Sequence, residues 1–231
     1  MDIRIFPKYD DAEIIKVGNP GLRPQFTNSV ELGYKTNLTK GYYYAAIYHR
    51  STNGTITRIA TQAPPSTLIY TVFQNAGYSS NTGVEMVFQQ NFSKAFSFNS
   101  NVNIYRNIIN AFTVENKYPV LSIYTAGKEA ITSGNVKLNG IFHLPKKTYI
   151  QLTAIYLAPD IIPQGRIDTR FSVDMGIKKQ IQKDKGELFF NASDIFNTLR
   201  IKKTVTGNGF TLASTDYYET QVIRLGYSYK F

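Results

Sequence analysis

The side chains able to do covalent or metal chemistry are few and far apart. The 231 residues include no Cys, so neither a disulfide framework nor a thiolate metal site is possible. His49 and His143 are the only imidazoles, and no His-Glu-x-x-His spacing occurs. No Gly-x-Ser-x-Gly elbow is present to expose a nucleophile. The acidic pair Asp10-Asp11 reads as a solvated loop, and His143 as a solvated residue beside a turn. The expectation is therefore a protein that is not an enzyme, with no catalytic residue, no metal site and no cofactor. The formal net charge of +10 raises the question of nucleic acid. The Lys and Arg residues, however, are scattered and form neither a block nor a helical stripe, so no nucleic-acid partner is expected.

Recognition by surfaces remains, and the elements that carry those surfaces read as strands. Period-two alternation recurs along the chain, while convincing helical periodicity is missing. Val30, Leu32 and Tyr34 alternate with Ser29, Glu31 and Gly33, and Phe96, Phe98, Val102 and Ile104 alternate with Ser97, Asn99, Asn101 and Asn103. Ile150, Leu152, Ala154 and Tyr156 share one face, as do Phe171, Val173, Met175 and Ile177. The last strand sets Ile223, Leu225, Tyr227, Tyr229 and Phe231 against Arg224, Gly226, Ser228 and Lys230. The facing of Gly41 to Arg50 is ambiguous. A soluble sandwich also alternates in this way. Strands of about ten residues are long for a sandwich but suit a tilted bilayer span.

Other features agree with a membrane. Only 18% of residues are charged, and the chain holds 17 Tyr and 15 Phe. Tyr favours strands and membrane–water interfaces. No stretch is apolar for about 18 residues, so a transmembrane helix is not expected. Connections alternate between short (Thr36 to Lys40, Asn91 to Lys94, Pro145 to Lys147, Lys178 to Gly186) and longer (near Thr61 to Ser66, Arg106 to Lys128, Ala158 to Asp168, Thr206 to Ser214). Short periplasmic turns and long extracellular loops produce this alternation in outer-membrane barrels. Residues 1–25 read as an incoming extracellular segment.

The fold expected is all-β: an antiparallel transmembrane β-barrel, here a partial barrel of about nine or ten long strands. Apolar faces would meet lipid, while Glu31, Lys35, Lys137, Arg170, Asp174 and Arg224 would line the lumen. Several Lys and Arg there would favour anionic substrates. A charge at Val173 is expected to be rejected, and one at Ser172, on the other face, accepted.

Two sets of residues carry resemblances. Arg224, Gly226, Tyr229 and Phe231 resemble the C-terminal signal of outer-membrane barrels, a polar residue and Gly before alternating aromatics that end in Phe. The resemblance implies a barrel-assembly machinery as partner, recognising an edge strand. Gly18-Asn19-Pro20-Gly21-Leu22-Arg23-Pro24, followed by Val30-Glu31-Leu32-Gly33-Tyr34, is similar to a block of TonB-dependent outer-membrane receptors, with Gly21 and Gln25 as mild departures. Asn191-Ala192-Ser193-Asp194-Ile195-Phe196-Asn197 resembles a second landmark of that family, before the final strand. Together these span residues 18–231. They imply a location in the cell outer membrane, contact with outer-membrane lipid, and import of a scarce nutrient of the siderophore, haem, vitamin or glycan class. The family's barrel has about 22 strands around an N-terminal plug.

On that resemblance residues 1–231 are the C-terminal part of the barrel. The plug domain, the N-terminal strands and the region that contacts the TonB complex are absent from them. The expectation is a fragment whose two sheet edges stay open. Two alternatives remain at this level: a complete small outer-membrane barrel with a structural or adhesive role, and a soluble carbohydrate-binding β-sandwich. Substrate identity and ligand-binding residues are not legible in the sequence.

Overall fold

The computed structural model describes residues 8–9, 14–62, 64–65, 67–118 and 120–231. Asp10 and Asp11 lie outside the described residues. Nine strands form one antiparallel sheet: β1 (Phe26–Leu38), β2 (Gly41–Asn53), β3 (Tyr78–Asn91), β4 (Phe96–Ile109), β5 (Glu129–Leu144), β6 (Thr148–Leu157), β7 (Arg170–Ile181), β8 (Gly186–Ser193) and β9 (Val222–Tyr229). Each strand pairs with its neighbours in the chain, so the sheet is an up-and-down meander. Among the described residues β1 and β9 each pair on one side only, leaving the sheet two open edges.

Registers decide which side chains share a face, because directly opposed residues in an antiparallel pair point the same way. The apolar sets fall on one face throughout. Leu32 opposes Ile47, Ile47 opposes Val84, and Val84 opposes Ile104. Leu138 opposes Ala154, Ala154 opposes Val173, Met175 opposes Ala192, and Ala192 opposes Ile223. This face is exposed where a soluble protein would bury it: Leu32 is 72% and Leu225 80% accessible. Glu31, Lys35, Lys137, Arg170, Asp174 and Arg224 all point to the other, inner face, as expected from the alternation.

The ambiguous strand is settled by its partners. Tyr43, Ala45, Ile47 and His49 join the apolar face, while Tyr42, Tyr44, Tyr48 and Arg50 turn inward. Alternation alone is silent here because tyrosines and alanines populate both faces. The inward tyrosines find polar partners: Tyr44 Oη donates to Glu31 Oε1 at 2.7 Å and Tyr48 Oη to Asn103 Oδ1 at 2.9 Å. Ser172 also points inward, but it is only 6% exposed opposite Ile155. An arginine there would overpack the inner face, so Ser172 does not provide the tolerant control position expected.

The tight turns all lie at one end. Thr39 and Lys40 close β1–β2, residues 92–95 close β3–β4, residues 145–147 close β5–β6, and a short 3₁₀ turn, Gln182–Asp184, closes β7–β8. Lys147 and Asp184 form an ion pair between two adjacent turns. On the apolar face at this end, Phe96 stacks on Phe142 at 4.9 Å and on Phe92 at 5.8 Å, with Phe88 and Phe98 alongside. Such an aromatic cluster is what a membrane–water interface selects.

The opposite end departs from the expectation of simple loops. The chain beyond Asn53 continues as a hairpin, Ile56–Gln62 with Ile69–Asn75, bent away from β2 and β3 where Gly54 and Gly77 take φ of 65° and 55°. Phe112–Asn116 pairs with Ser122–Ala126 above β4 and β5, and Asp160–Ile162 with Gly165–Ile167 above β6 and β7. Ile201–Gly207 pairs with Phe210–Asp216 and also with Gly165–Ile167. The incoming segment joins in: Ile14–Val17 runs parallel to Ile69–Val72 and pairs with Lys8–Tyr9.

These hairpins hold a core of their own. Ile59, Ala76, Ile109, Phe112, Val114 and Ile161 are buried together. Gln164 staples two hairpins: its Oε1 accepts from Ala60 N at 2.7 Å and its Nε2 donates to Ala60 O at 2.8 Å. The expected boundaries change accordingly. Arg106 belongs to β4 rather than to a loop, and the longest connection is that between Ser193 and Val222, not Arg106 to Lys128.

Candidate functional site

Arg224, Gly226, Tyr229 and Phe231 lie along or just past the edge strand β9, which runs from Arg224 near the hairpin end to Tyr229 at the turn end of the sheet. Tyr229 belongs to the apolar face, Arg224 and Gly226 to the inner one. The rings of Tyr229 and Phe231 meet edge-on at 5.5 Å, and Phe231 is fully exposed. The backbone is fixed as well, because Lys230 N donates to Lys185 O at 2.7 Å. The arrangement therefore offers a free strand edge and a row of apolar side chains at one place. That is the pair of features used when one strand is recognised by another.

Glycine explains two motifs at once. A Cβ on Gly226 would stand 2.1 Å from Phe189 Cζ, so the ring of Phe189 lies directly across it. A Cβ on Gly33 would stand 2.7 Å from Tyr44 Oη, so Tyr44 crosses Gly33 to reach Glu31. The Glu31-Leu32-Gly33-Tyr34 block thus lets a tyrosine lie across a strand on the inner face. Gly33→Val is expected to displace Tyr44, break its bond to Glu31 and lower stability by about 1 kcal/mol, as loss of one hydrogen bond usually does. Unfolding of the purified protein at an unchanged midpoint would contradict this.

The other landmarks fix chain entry and exit at the hairpin end. Asn19 Nδ2 donates to Phe73 O at 2.8 Å, and Asn19 Oδ1 accepts from Gly21 N at 2.9 Å. Arg23 and Asn75 exchange two bonds, at 3.0 and 2.9 Å, so residues 19–23 are tied to the Ile69–Asn75 strand just before β1 begins. After β8, Asp194 is 1% exposed and accepts from Thr198 N at 3.0 Å, Leu199 N at 3.1 Å and Thr220 Oγ1 at 2.7 Å. Burial alone would raise its carboxyl, but these hydrogen bonds outweigh it and hold the group below the ordinary carboxylate range.

The sign follows from that direction. A carboxyl depressed by folding stabilises the fold above its unfolded value and loses that contribution as pH falls through the folded one. Asp194→Ala leaves buried donors unpaired at about 1–3 kcal/mol each. Faster proteolysis or amide exchange across residues 194–221 is the expected result, and exchange identical to the parent protein would count against it.

The inner face is the polar one. Near the hairpin end a polar basin of about 380 Å³ is lined by Tyr48, Arg50, Asn81, Asn103, Tyr105, Asn107 and Asn135, among others. Arg50 lies over the Tyr48 ring at 4.6 Å and 3.9 Å from Glu31. Asp160, from the connection above β6, accepts from Tyr105 Oη at 2.7 Å and from Asn107 Nδ2 at 2.9 Å. Asn81 Oδ1 is buried without a hydrogen-bond partner among the described residues.

Charge on this face is nearly balanced. Arg50 and Lys178 join the four expected cations, while Glu85, Glu129 and Glu187 join Glu31 and Asp174. The expected preference for anionic substrates is therefore not supported by the inner face as built. Sequence reading missed Arg50 because the facing of β2 was undecided. The asparagine wall was visible as a period-two pattern but could not be placed in a basin. The two histidines are split between the faces. His49 points outward with Nδ1 2.7 Å from Thr82 Oγ1, and His143 points inward with its ring edge-on to Tyr149 at 5.2 Å.

The profile of the outer membrane protein beta-barrel family matches residues 1–229. No curated protein matches the chain.

Proposed function

Because the chain belongs to the outer membrane protein beta-barrel family and so resides in the outer membrane, we propose that it supplies the C-terminal strands of a TonB-dependent receptor importing a scarce nutrient of the siderophore, haem, vitamin or glycan class. The observation that carries this reading is the placement of the receptor-like landmarks. The block at residues 18–24 leads the chain from the hairpin end into β1, and Asp194 organises its exit from β8 at the same end. The motif at Arg224 to Phe231 runs along a free edge and finishes at the other end. The inner face between them offers the asparagine- and tyrosine-lined basin as a contact surface for a polar cargo.

The open sheet favours a receptor over a small complete barrel. A small barrel needs β1 to pair with β9, and here they do not pair. Unpaired backbone groups in hydrocarbon cost several kcal/mol each, so these edges call for further strands. On this reading the partners are outer-membrane lipid, the barrel-assembly machinery, and the TonB complex through a region outside these residues.

Growth tests the proposal. Cells lacking the protein should lose growth on one nutrient among ferric siderophores, haem, cobalamin and oligosaccharides supplied as the limiting source. Cells lacking TonB should show the same loss. Growth indifferent to both deletions on every nutrient would leave the small structural barrel as the better reading.

A further inference from the structure

The outward face of the nine strands is almost free of formal charge. Among the described residues only Arg106, near the hairpin end, and Lys179, near the turn end, are charged on it. On β4 the residues below Arg106 run Ile104, Val102, Ser100, Phe98 and Phe96 toward the aromatic cluster. From Arg106 to Phe96 the strand climbs ten residues, and at about 3.3 Å per residue on a strand tilted about 40° this matches the roughly 25 Å band that such barrels present to lipid. Arg106 therefore stands at the boundary of the hydrocarbon, on the side of the long connections, where an arginine costs about 0–1 kcal/mol rather than the 2–4 of the midplane.

Arg106 is not isolated. His49, Thr82, Arg106 and Thr132 are register partners in one row across four strands. Thr82 Oγ1 lies 2.7 Å from His49 Nδ1, and Arg106 Nη1 donates to Thr132 Oγ1 at 3.1 Å. That contact uses one of the five guanidinium N–H donors. No carboxylate among the described residues forms an ion pair with Arg106, and the outward face of these strands carries none. Beneath this polar row lies an open groove of about 600 Å³ floored by Val30, Leu32, Ile47, Val84 and Ile104.

We infer that this outward groove is a binding site for a phosphorylated, acylated glycolipid of the outer leaflet, with a phosphate on Arg106 beside His49 and an acyl chain along the apolar floor. Charge complementarity selects this occupant. A lipid without a phosphate would fill the floor but leave the guanidinium without an ion-pair partner at the edge of hydrocarbon, whereas a phosphate accepts its free N–H pair in the bidentate geometry that arginine prefers. Thr82 Oγ1 and Thr132 Oγ1 hydrogen-bond His49 and Arg106 respectively, which keeps both side chains in the row. This inference uses only the outer-membrane location and the facing of the strands, so it stands or falls apart from the transport reading.

The test uses the full-length protein, extracted in neutral detergent and titrated by native mass spectrometry with bis-phosphorylated lipid A, with dephosphorylated lipid A, and with inorganic phosphate. The wild-type protein should bind the phosphorylated lipid at least about fivefold more tightly than the dephosphorylated form, the factor one cation is worth at an anionic membrane surface. Inorganic phosphate alone should bind more weakly still, because the floor contributes nothing to it. Arg106→Gln should erase the preference for phosphate, Arg106→Lys should keep part of it, and Lys179→Gln at the other boundary should leave it unchanged. The two lipids differ on the wild-type protein itself, so a poorly folding variant does not block the test. Equal binding of both lipids by the wild-type protein would overturn the inference. So would a preference lost equally with Lys179→Gln, which would reduce the effect to diffuse attraction.

Discussion

Leu152→Arg should abolish insertion of the protein into the outer membrane, while Gln151→Arg, one residue away, should be tolerated. Leu152 lies in the middle of β6 on the outward face, between Gly140 on β5 and Met175 on β7, and is 39% exposed. An arginine near the midplane of the lipid face costs about 2–4 kcal/mol, a large share of the marginal stability of a folded protein. Gln151 points inward and is exposed; its side chain donates to Asn139 Oδ1 at 2.8 Å. Replacing it forfeits that bond, about 1 kcal/mol, and places a cation on a face that already carries balanced charge. Heat-modifiable mobility and protease resistance of the membrane fraction measure both variants. The reverse outcome would mean that the face assignment of β6 is wrong by one residue, and equal loss in the two would mean that β6 has no single lipid face.

The second large effect is expected at the terminus. Replacing Tyr229 and Phe231 with serine in the full-length protein should deplete it from the outer membrane and send it to periplasmic proteolysis. These rings pack against each other at the end of a free edge and contribute little to the interior of the fold, since Phe231 is wholly exposed. A loss of assembly would therefore reflect recognition and not simple destabilisation. A supporting readout is refolding in detergent without any assembly factor, which the double variant should complete at the parent rate. Normal outer-membrane abundance of the variant would remove the terminus from assembly.

The strand faces were legible in the sequence because the membrane imposes a strict period of two, and the registers bear this out from Val30 to Tyr229. Gly41 to Arg50 escaped because tyrosine suits both a lipid interface and a polar wall. Its orientation comes from the flanking strands, a long-range effect that no local pattern encodes. The hairpin end was the larger surprise. Ile59, Phe112, Val114 and Ile161 are apolar residues in short runs, which read as loop or strand end when taken singly. Only their meeting across distant connections makes a core. Gln164 shows the same limit, since its partner Ala60 is 104 residues away.

The motifs divide similarly. The Glu31-Leu32-Gly33-Tyr34 block was readable as a landmark, but its reason lies in Tyr44, which crosses Gly33 from the next strand. Gly226 likewise makes sense only once Phe189 is seen to lie over it. Residue types marked where something happens, and the cross-strand neighbour explains what.

The central claim is a membrane-spanning sheet with one face to lipid and the other to a polar interior. The sequence contains no native Cys in these 231 residues, which makes site-directed spin labelling direct. Single cysteines placed in turn from Ile150 to Tyr156 in the full-length protein, reconstituted in vesicles, would be read by collision with oxygen and with a water-soluble nickel chelate. Labels at Ile150, Leu152, Ala154 and Tyr156 should favour oxygen, and those at Gln151, Thr153 and Ile155 should not, giving a period of two along the strand. Accessibility without alternation, or chelate contact at every position, would contradict the account.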